Sequence, residues 1–287
     1  MRIAVGIATR GRAAILAETL DELARQTRRP DRIIVCHVTP EDIGAPRPGV
    51  DYIASAAGLP RQRNAILDAA AECDAVLFLD DDFLPAPDYL RVTEAVLLAR
   101  PDCVVTTGTV LADGANAPGY SAAEGRAILA RDRYEGDTLA AAPHFNGYGC
   151  NMAVRMAPVR AHGIRVDEAL PLYAWYEDID FTRALGRHGA ILRLAGARGV
   201  HLATKLGRTP GRRLGYSQVA NSVYLARKGT YPWSHALPSL LRHTLKNAAR
   251  SPWPEPWADR FGRFRGNLLA LADWLRGRIS PGRALEL

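Results

Sequence analysis

The feature that most constrains the fold is a regular alternation of strand-length apolar runs with helix-length segments over the first hundred residues. Parallel strands need such crossovers, because a two-residue hairpin cannot join them. The alternation predicts an α/β fold with a mostly parallel sheet that helices cover on both faces. A stretch of weak periodicity after residue 110 is interpreted as an irregular insertion with a short helix. The predicted strands are residues 2–9, 31–38, 50–54, 74–79 and 102–108, and the predicted helices are residues 13–26, 60–71 and 87–99.

Three consecutive aspartates, Asp80, Asp81 and Asp82, follow the fourth predicted strand directly. In an open parallel sheet, ligands bind at the carboxyl ends of the strands. Adjacent carboxylates repel one another, and Mg²⁺ or Mn²⁺ relieves that repulsion because these ions prefer carboxylate oxygens and complete their shell with substrate phosphates. An exposed acidic turn that caps the next helix explains the bare triplet equally well. Other residues must therefore decide between the two interpretations.

The composition is that of an ordinary globular protein. Of the 287 residues, 48% are hydrophobic and 23% are charged, which fits one large domain or two small ones. No apolar run approaches the roughly 18 residues that span a bilayer, and the N-terminus lacks the layout of a secretory signal. The four cysteines are scattered without CxxC spacing, which predicts reduced thiols and a cytoplasmic location.

Seven segments along the chain carry motifs in an order that goes beyond the aspartate triplet. One contains the triplet as a D-x-D motif, and another has the form E-D-x-D. On these motifs the sequence resembles the family-2 glycosyltransferases of the GT-A fold over roughly residues 1–230. The segments are Thr9–Arg12, Gly58–Asn64, Phe78–Asp82, Asn146–Arg155, Trp175–Phe181, Gly199–His201 and Asn221–Lys228.

The resemblance implies a fold, a domain organisation and an activity. The expected fold is GT-A, a Rossmann-like nucleotide-diphospho-sugar transferase fold with a mixed, mostly parallel sheet and a C-terminal helical extension. The expected domains are a catalytic domain over residues 1–230 and a basic amphipathic extension over residues 231–287. The expected activity is metal-dependent inverting transfer of a sugar, of hexosyltransferase type, from a nucleotide-diphosphate donor to a glycan or lipid-linked hydroxyl in bacterial surface polysaccharide or exopolysaccharide biosynthesis.

The resemblance also assigns residues to the metal and to the donor. It places Asp82 on the metal, Mg²⁺ or Mn²⁺, that bridges the diphosphate, with Asp80 and His201 as further metal contacts. Asp80 also lies near the ribose. The usual asparagine of the first turn is Gly11 in this chain. The residues expected to bind the nucleotide sugar are Thr9, Arg10, Arg12, Arg61, Asn64, Asp80, Asp81, Asn151 and Lys205.

The nucleotide base is not assigned by these motifs. The family usually has an aspartate after strand two that contacts the base. In this chain either Asp42 or a backbone group takes that role. UDP, GDP and dTDP sugars therefore all remain as donors.

Two carboxylates of the E-D-x-D motif are the expected catalytic residues. The acceptor hydroxyl must lose a proton as it attacks the anomeric carbon, and a carboxylate within hydrogen-bond reach is the simplest base. Asp178 is the expected base, and Glu177 positions the acceptor or Asp178 itself. The alternative for this segment is an acidic first helical turn that the helix dipole stabilises.

The C-terminal tail is basic and amphipathic. From Leu237 to the end there are nine Lys/Arg and four Asp/Glu, and no acidic residue occurs between Arg198 and Pro254. Two helices are predicted there, the second with an apolar stripe from Trp257 to Leu275. Such helices pack on the catalytic domain or on a homodimer partner, or lie as a peripheral anchor on the anionic inner face of the cell membrane.

Two other functions share parts of this pattern. A sugar-nucleotidyltransferase uses the same sheet and metal-bound carboxylates, but it usually has a Gly-rich loop with Arg and Lys after strand one, and Thr9–Arg12 is too short for that loop. A non-catalytic sugar- or nucleic-acid-binding protein would use the basic tail alone. For the glycosyltransferase interpretation we expect no nucleic-acid partner.

Overall fold

The computed structural model describes residues 1–171, 173–204 and 209–287, and only the backbone of Asn116. The chain divides into two compact units, and helix-forming residues 211–228 belong to the second with the C-terminal tail. The predicted domain boundary at residue 230 stays a prediction. Within the described residues, the first unit comprises residues 1–57, 61–165 and 181–204, and the second comprises residues 58–60, 166–180 and 209–287.

The first unit contains one sheet of nine strands among the described residues. The strands are β1 (Ile3–Ala8), β2 (Arg32–His37), β3 (Val50–Ala54), β4 (Ala75–Asp80), β5 (Phe83–Pro85), β6 (Cys103–Asp113), β7 (Ala141–Pro143), β8 (Asn151–Arg155) and β9 (Ala190–His201).

Helices alternate with these strands and continue beyond them. They are α1 (Ala13–Ala24), α2 (Leu59–Ala69), α3 (Tyr89–Ala99), α4 (Ala122–Arg131), α5 (Met156–His162), α6 (Glu177–Leu185), α7 (Gly211–Lys228), α8 (Trp233–Arg250) and α9 (Arg260–Leu275), with 3₁₀ turns at Pro40–Asp42, Gly114–Asn116 and Pro281–Glu286.

The sheet is mixed and mostly parallel, as the sequence predicts. Its strand order is β3-β2-β1-β4-β8-β6-β9-β5, with β7 paired to β9. Six strands run in one direction, whereas β5, β7 and β8 run in the other. The five predicted strands correspond to β1, β2, β3, β4 and β6. The region predicted as irregular begins inside β6, which extends to Asp113, and its short helix is α4.

Both faces of the central strands are covered. In β1, alternate residues face opposite sides of the sheet, and Ile3, Val5 and Ile7 belong to a buried cluster with residues of α1 and α3. The intervening Gly6 faces α2 so closely that an added Cβ would lie 2.4 Å from Ile66 Cγ2. This arrangement explains why the strand sequence is apolar throughout rather than alternating.

The second unit has its own core, in which α7, α8 and α9 pack together. Its buried residues include Tyr216, Val219 and Val223 of α7, Leu240 of α8 and Ala270 of α9. Among the described residues, no helix has both the length and the apolar character needed to cross a bilayer. All four cysteines lie among the described residues, where they are buried and form no disulfide.

Candidate active site

The sheet register brings the acidic triplet and His201 to one edge. Strand β4 ends at Asp80, which pairs with Ala8 at the end of β1. Strand β9 ends at His201, and the short strand β5 places Phe83 opposite it. The backbone N–H of Leu202 donates to the carbonyl of Asp82 at 2.9 Å. The candidate ligands therefore meet where strands end, which is the position expected for a ligand site in such a sheet.

Asp81 is the fully buried member of the triplet. Its Oδ2 accepts a hydrogen bond from Thr9 Oγ1 at 2.7 Å and lies 3.3 Å from Arg12 Nε. Its Oδ1 has no hydrogen-bond partner among the described residues. Burial raises the pKa of Asp81 to about 7. The carboxyl of Asp81 is enclosed by its contacts with Thr9 and Arg12, and its predicted role in donor binding stays a prediction.

Asp82 has an ionic partner on each oxygen. Its Oδ2 accepts from the Thr204 backbone N–H at 2.9 Å and from Arg12 Nη1 at 3.1 Å. Its Oδ1 lies 3.5 Å from Nε2 of His201. Burial raises the pKa of Asp82, but the hydrogen bond and charge of His201, together with Arg12, lower it to about 2. Asp82 is therefore ionised at neutral pH, and its Oδ1 is the oxygen that faces the candidate metal position.

His201 lies between three carboxylates. Nδ1 lies 2.9 Å from Oδ1 of Asp113, and Nε2 lies 3.8 Å from Oδ2 of Asp80. Burial lowers the pKa of His201, but hydrogen bonds to Asp113 and Asp82 raise it to about 10. The imidazole is therefore protonated in this arrangement. A metal ion on Nε2 would have to displace that proton, as metal binding to histidine always requires the neutral ring.

The donor set of Asp80, Asp82 and His201 fits a divalent cation. One ligand atom from each residue can be chosen so that the three lie within 4.8 Å of one another. Two carboxylate oxygens and one imidazole nitrogen suit Mn²⁺, and carboxylates with phosphate oxygens suit Mg²⁺. The second nitrogen of His201 is held by a carboxylate, which is the usual support for a metal-bound histidine.

The segment after His201 is strained where it contacts Asp82. Ala203 has a φ of 50°, a left-handed conformation that costs a non-glycine residue about 1–3 kcal/mol. That conformation directs the Thr204 N–H at Asp82, and Thr204 Oγ1 also accepts from Arg12 Nη1 at 3.2 Å. Strain that the surroundings maintain next to a charged cluster is typical of functional sites.

The motif at residues 58–64 contributes a buried arginine beside Asp80. Arg63 Nη2 donates to the carbonyl of Gly149 at 2.6 Å and lies 3.4 Å from Oδ1 of Asp80. Its guanidinium also lies over the Phe78 ring, 5.5 Å from the centroid. Of its neighbours, Arg61 is exposed and Asn64 is buried. Arg63 is therefore a buried neighbour of Asp80, whereas donor binding by Arg61 and Asn64 stays a prediction.

The other predicted donor-binding residues have diverse surroundings. Asn151 is fully buried, and its Oδ1 accepts a hydrogen bond from Thr107 Oγ1 at 2.8 Å. Arg10 is exposed directly after β1. Lys205 lies outside the described residues.

The carboxylate of Asp42 accepts hydrogen bonds from backbone groups of its own loop and of the turn after β1. Its oxygens accept from the backbone N–H groups of Gly11, Val38 and Thr39 at 2.7, 2.9 and 2.8 Å. The hydrogen bond to Gly11 ties the loop after β2 to the turn after β1. These contacts favour the interpretation in which a backbone group, rather than Asp42, faces the nucleotide base.

The predicted catalytic carboxylates begin α6 and belong to the second unit. Glu177 is 4% exposed, and Asp178 is half-buried, with its Oδ1 accepting from the Ile179 N–H at 2.8 Å. Asp180, the last acid of the motif, is buried and bonds to Lys228 Nζ and Thr230 Oγ1, both at 2.6 Å. Asp180 is therefore a structural anchor, whereas Asp178 has the accessibility that a base requires.

Sequence reasoning missed Asp113 and Thr204. Asp113 ends β6, pairs in register with His201, and also accepts from Tyr148 Oη at 2.9 Å. The available signal was an aspartate at the end of an extended strand, but the weak periodicity after residue 110 concealed it. Thr204 contacts Asp82 through its backbone N–H and Arg12 through its hydroxyl, and no motif of the sequence marks this position.

Comparisons with known proteins agree with the fold. The family model described as glycosyl transferase family 2 matches residues 4–163, more than half of the chain. The Glu177–Asp180 segment lies beyond that range. No curated protein sequence matches this chain.

Solved structures give a likeness of fold. S. aureus TarS 1-349 in complex with UDP-GlcNAc has a TM-score of 0.60 at 14% identity, covering 99% of this chain and 83% of that one. The mannosyltransferase PcManGT from Pyrobaculum calidifontis, in complex with GDP-Man and Mn²⁺, has a TM-score of 0.53 at 13% identity, covering 95% and 87%. Against the longer S. aureus TarS structure (TM-score 0.53, 17% identity), the match covers 88% of this chain but only 44% of TarS.

Proposed function

This chain belongs to glycosyl transferase family 2, and from that membership we propose that it is a metal-dependent, inverting glycosyltransferase of polysaccharide biosynthesis. It moves a sugar from a nucleotide-diphosphate donor to a hydroxyl of a glycan or lipid-linked acceptor. The observation that carries the proposal is the group of Asp80, Asp82 and His201 at the strand ends, with Arg12 beside it. Two carboxylates, a histidine and an arginine that lie close together suit the binding of a divalent cation and of the diphosphate that the cation would contact.

The donor is a UDP, GDP or dTDP sugar. Support comes from the relatives of similar fold, which were solved with UDP-GlcNAc, with UDP, and with GDP-Man and Mn²⁺. The accessible side chains of Arg10, Arg12, Arg61 and Asp80 contact the donor. The enclosed residues Thr9, Asn64, Asp81 and Asn151 hold the site wall, and Lys205 is proposed from the sequence alone.

Asp80, Asp82 and His201 would hold Mg²⁺ or Mn²⁺. When bound, the ion supplies Lewis-acid stabilisation of the diphosphate that leaves the anomeric carbon. Arg12 adds a fixed positive charge that already lies against Asp81 and Asp82. Asp113 holds the His201 ring so that Nε2 remains directed at the two carboxylates.

The proposed base is Asp178, which the E-D-x-D motif of the sequence predicts. Asp178 accepts the proton of the acceptor hydroxyl while that oxygen bonds to the anomeric carbon from the face opposite the leaving diphosphate. The bond from the anomeric carbon to the diphosphate oxygen breaks in the same step, so one displacement inverts the configuration. Glu177 is buried at the start of α6 and orients Asp178 or the acceptor.

Calorimetric titration with UDP, GDP and dTDP, with and without Mn²⁺, tests the donor half of the proposal. Asp82→Ala is expected to abolish Mn²⁺-dependent binding. Asp102→Ala is the matched control, because Asp102 is exposed and its carboxylate pairs with Arg100. Equal Mn²⁺-dependent affinity in the wild type and Asp82→Ala would reject the proposed metal site.

Transfer assays test the catalytic half. Asp178→Asn is expected to retain donor binding and lose transfer, because the amide cannot accept the proton. Transfer at the wild-type rate by Asp178→Asn would reject the base. Consumption of the nucleotide sugar together with added pyrophosphate, with formation of a nucleoside triphosphate and a sugar 1-phosphate, would indicate a nucleotidyltransferase instead.

We also propose that the enzyme is cytoplasmic and lies peripherally on the inner face of the cell membrane through α8. Trp233, Leu237, Leu241 and Leu245 recur every four residues and are all exposed, between 42% and 67%. A neighbouring row of Arg242, Lys246 and Arg250 is exposed and basic. Apolar side chains beside cations fit a bilayer surface with anionic headgroups.

Flotation with liposomes tests this location. The double variant Leu241→Ser/Leu245→Ser is expected to lose flotation on vesicles that contain anionic lipid, whereas Leu98→Ser, an exposed leucine on α3 of the first unit, keeps it. Equal flotation of both variants would reject α8 as the membrane contact. A dimer that the double variant converts to monomer, with no flotation of the wild type, would assign the same face to a second copy of the chain.

A further inference from the structure

The residue before the Glu177–Asp178 pair is held by the inner side of α8. The hydroxyl of Tyr176 lies 2.5 Å from Ser239 Oγ and 3.0 Å from His243 Nε2. The ring also packs against Tyr231, with centroids 5.4 Å apart. Both hydrogen-bond partners lie on α8, the helix whose outer side carries the exposed leucines. The side of α8 that contacts Tyr176 is therefore distinct from the side that carries the exposed leucines.

The backbone around Tyr176 is strained. Ala174 has a φ of 50° and Tyr176 a φ of 72°. Side chains other than glycine rarely adopt this left-handed region, and such residues persist only where the surroundings over-determine them. The carbonyl of Ala174 also accepts a hydrogen bond from the N–H of Glu177, the first residue of α6, at 2.8 Å. The strained turn thus sets the position at which the predicted catalytic residues enter the helix.

Helix α7 and its C-terminal loop hold the same segment at its two ends. Asn221 of α7 is fully buried, and its Nδ2 donates to the carbonyl of Trp175 at 2.8 Å. At the other end, Lys228 and Thr230 bond to the carboxylate of Asp180. These contacts and the Tyr176 contacts lie within the second unit. Together they hold the segment from Trp175 to Asp180 through contacts within the second unit.

The protonation states of Tyr176 and His243 allow a hydrogen bond between the two side chains at neutral pH. Burial raises the pKa of Tyr176 to about 12, so its hydroxyl keeps its proton. Burial and the nearby cations Arg242 and Lys246 lower the pKa of His243 to about 4. The imidazole is therefore neutral at physiological pH, and its Nε2 can accept from Tyr176. Trp175 packs edge-on to the same imidazole at 5.4 Å between centroids.

We propose that Ser239 and His243 of α8 are positioning residues for acceptor deprotonation, because they hold Tyr176 in the strained turn that places Glu177 and Asp178. The C-terminal extension would then position catalytic residues, in addition to its proposed contact with the membrane. The catalytic role of Asp178 in this inference rests on the proposed function. The positioning of the segment itself does not, and it is measured separately.

Two measurements on the full chain test the inference. Tyr176→Phe removes only the hydroxyl that contacts α8, and His243→Ala removes one partner. Tyr134→Phe is the matched control, because its hydroxyl contacts the Asp137 carbonyl in the first unit. Thr244→Ala controls for α8 itself, since its hydroxyl bonds to the Leu240 carbonyl within the helix. His243→Gln keeps a hydrogen-bonding side chain and is expected to recover part of the effect.

Hydrogen–deuterium exchange is the first readout. Peptides that cover residues 173–180 are expected to exchange faster in Tyr176→Phe and His243→Ala than in either control, while peptides from β1 and β4 stay unchanged. Unchanged exchange in residues 173–180 overturns the inference. This readout needs no enzymatic activity, so it stands even if the protein transfers no sugar and the proposed function fails.

Transfer kinetics are the second readout. Misplacing a catalytic group by about 1 Å can lower the rate on the order of 100-fold, and we expect kcat for transfer to fall about 10- to 100-fold in Tyr176→Phe with the donor Kd unchanged. A loss of donor affinity equal to the loss of kcat would show general damage and would overturn the inference. Wild-type kcat in both variants would overturn it as well.

Discussion

Nδ1 of His201 lies 2.9 Å from Oδ1 of Asp113, while its Nε2 lies 3.5 Å from Oδ1 of Asp82. The strand register creates this relationship, because Asp113 of β6 pairs directly with His201 of β9. Asp113 orients the ring through Nδ1. The other ring nitrogen, Nε2, lies near Asp82 at the candidate metal position. The arrangement makes His201 a prepared ligand rather than an isolated buried histidine.

Removing Asp113 is expected to weaken metal binding. Loss of a carboxylate that supports a metal-bound histidine typically costs about 10- to 100-fold in metal affinity. We expect that loss for Asp113→Ala, measured as free Mn²⁺ by electron paramagnetic resonance in a titration with UDP present. Asp102→Ala is the control. Unchanged Mn²⁺ affinity in Asp113→Ala would show that His201 is not a ligand or needs no support.

Removing Arg12 is expected to destabilise the protein and to increase its response to metal. Arg12→Ala leaves Asp81 and Asp82 without a shared cation, and an unsatisfied buried partner costs about 1–3 kcal/mol. We expect a lower Tm, partly restored by Mn²⁺ to a greater extent than in the wild type. Arg100→Ala, which removes an exposed partner of Asp102, should leave Tm unchanged. Identical Mn²⁺ responses in Arg12→Ala and the wild type would contradict the placement of the ion beside Arg12.

The buried carboxyl of Asp81 is expected to make stability pH-dependent. Its pKa of about 7 in the folded protein exceeds the value of about 3.9 for an unfolded aspartate. Between these values the folded protein holds a proton that the unfolded chain has released, so the free energy of unfolding falls as pH rises through about 4 to 7 and levels off above. Asp81→Asn removes this dependence.

Denaturant unfolding without metal at pH 5 and pH 8 measures that effect. Relative to the wild type, Asp81→Asn should gain about 2–3 kcal/mol between the two pH values, since the roughly two units between pH 5 and the pKa of about 7 each correspond to about 1.4 kcal/mol. Taking the difference between variant and wild type removes the contributions of other groups that titrate in this range, His201 among them. A difference that does not change with pH would show that Asp81 is ionised in the folded protein.

The contact between α7 and α9 depends on glycine. A Cβ on Gly215 would lie 2.0 Å from the Arg263 carbonyl oxygen, so Gly215→Ala should lower the free energy of unfolding by about 1–3 kcal/mol or more. Gly282→Ala is the matched control, because its Cβ would meet only Ser280 Oγ at 3.8 Å. Equal stability of both variants, measured by thermal unfolding, would contradict this close helix packing.

The parts of the fold that could be predicted are those with local signals. β1 and β4 are almost entirely apolar runs because both faces of the sheet are covered there. β5 and β7 have only three residues each, too short for any periodicity. The antiparallel insertion of β8 between β4 and β6 is a long-range pairing, and no neighbouring residue encodes it.

The residues of the candidate site also divide into those with a local sequence signal and those without one. Asp80, Asp82 and His201 were predictable because each ends or follows a strand within a motif. Asp113 and Thr204 contribute through register and backbone geometry, which the sequence does not display. In α9 the predicted apolar stripe includes Phe261, Leu268 and Leu275, which are exposed, whereas the packed side carries the small or polar residues Gly266, Asn267 and Ala270. Hydrophobic spacing alone therefore identified the helix but not its buried side.

A crystal soaked with UDP and Mn²⁺ tests the central claim most directly. We expect an anomalous manganese peak at coordination distance from Asp82 Oδ1 and His201 Nε2, bridging to the diphosphate oxygens. Nucleotide bound elsewhere, or a peak absent from this corner in a crystal that contains bound UDP, would contradict the metal-dependent transferase.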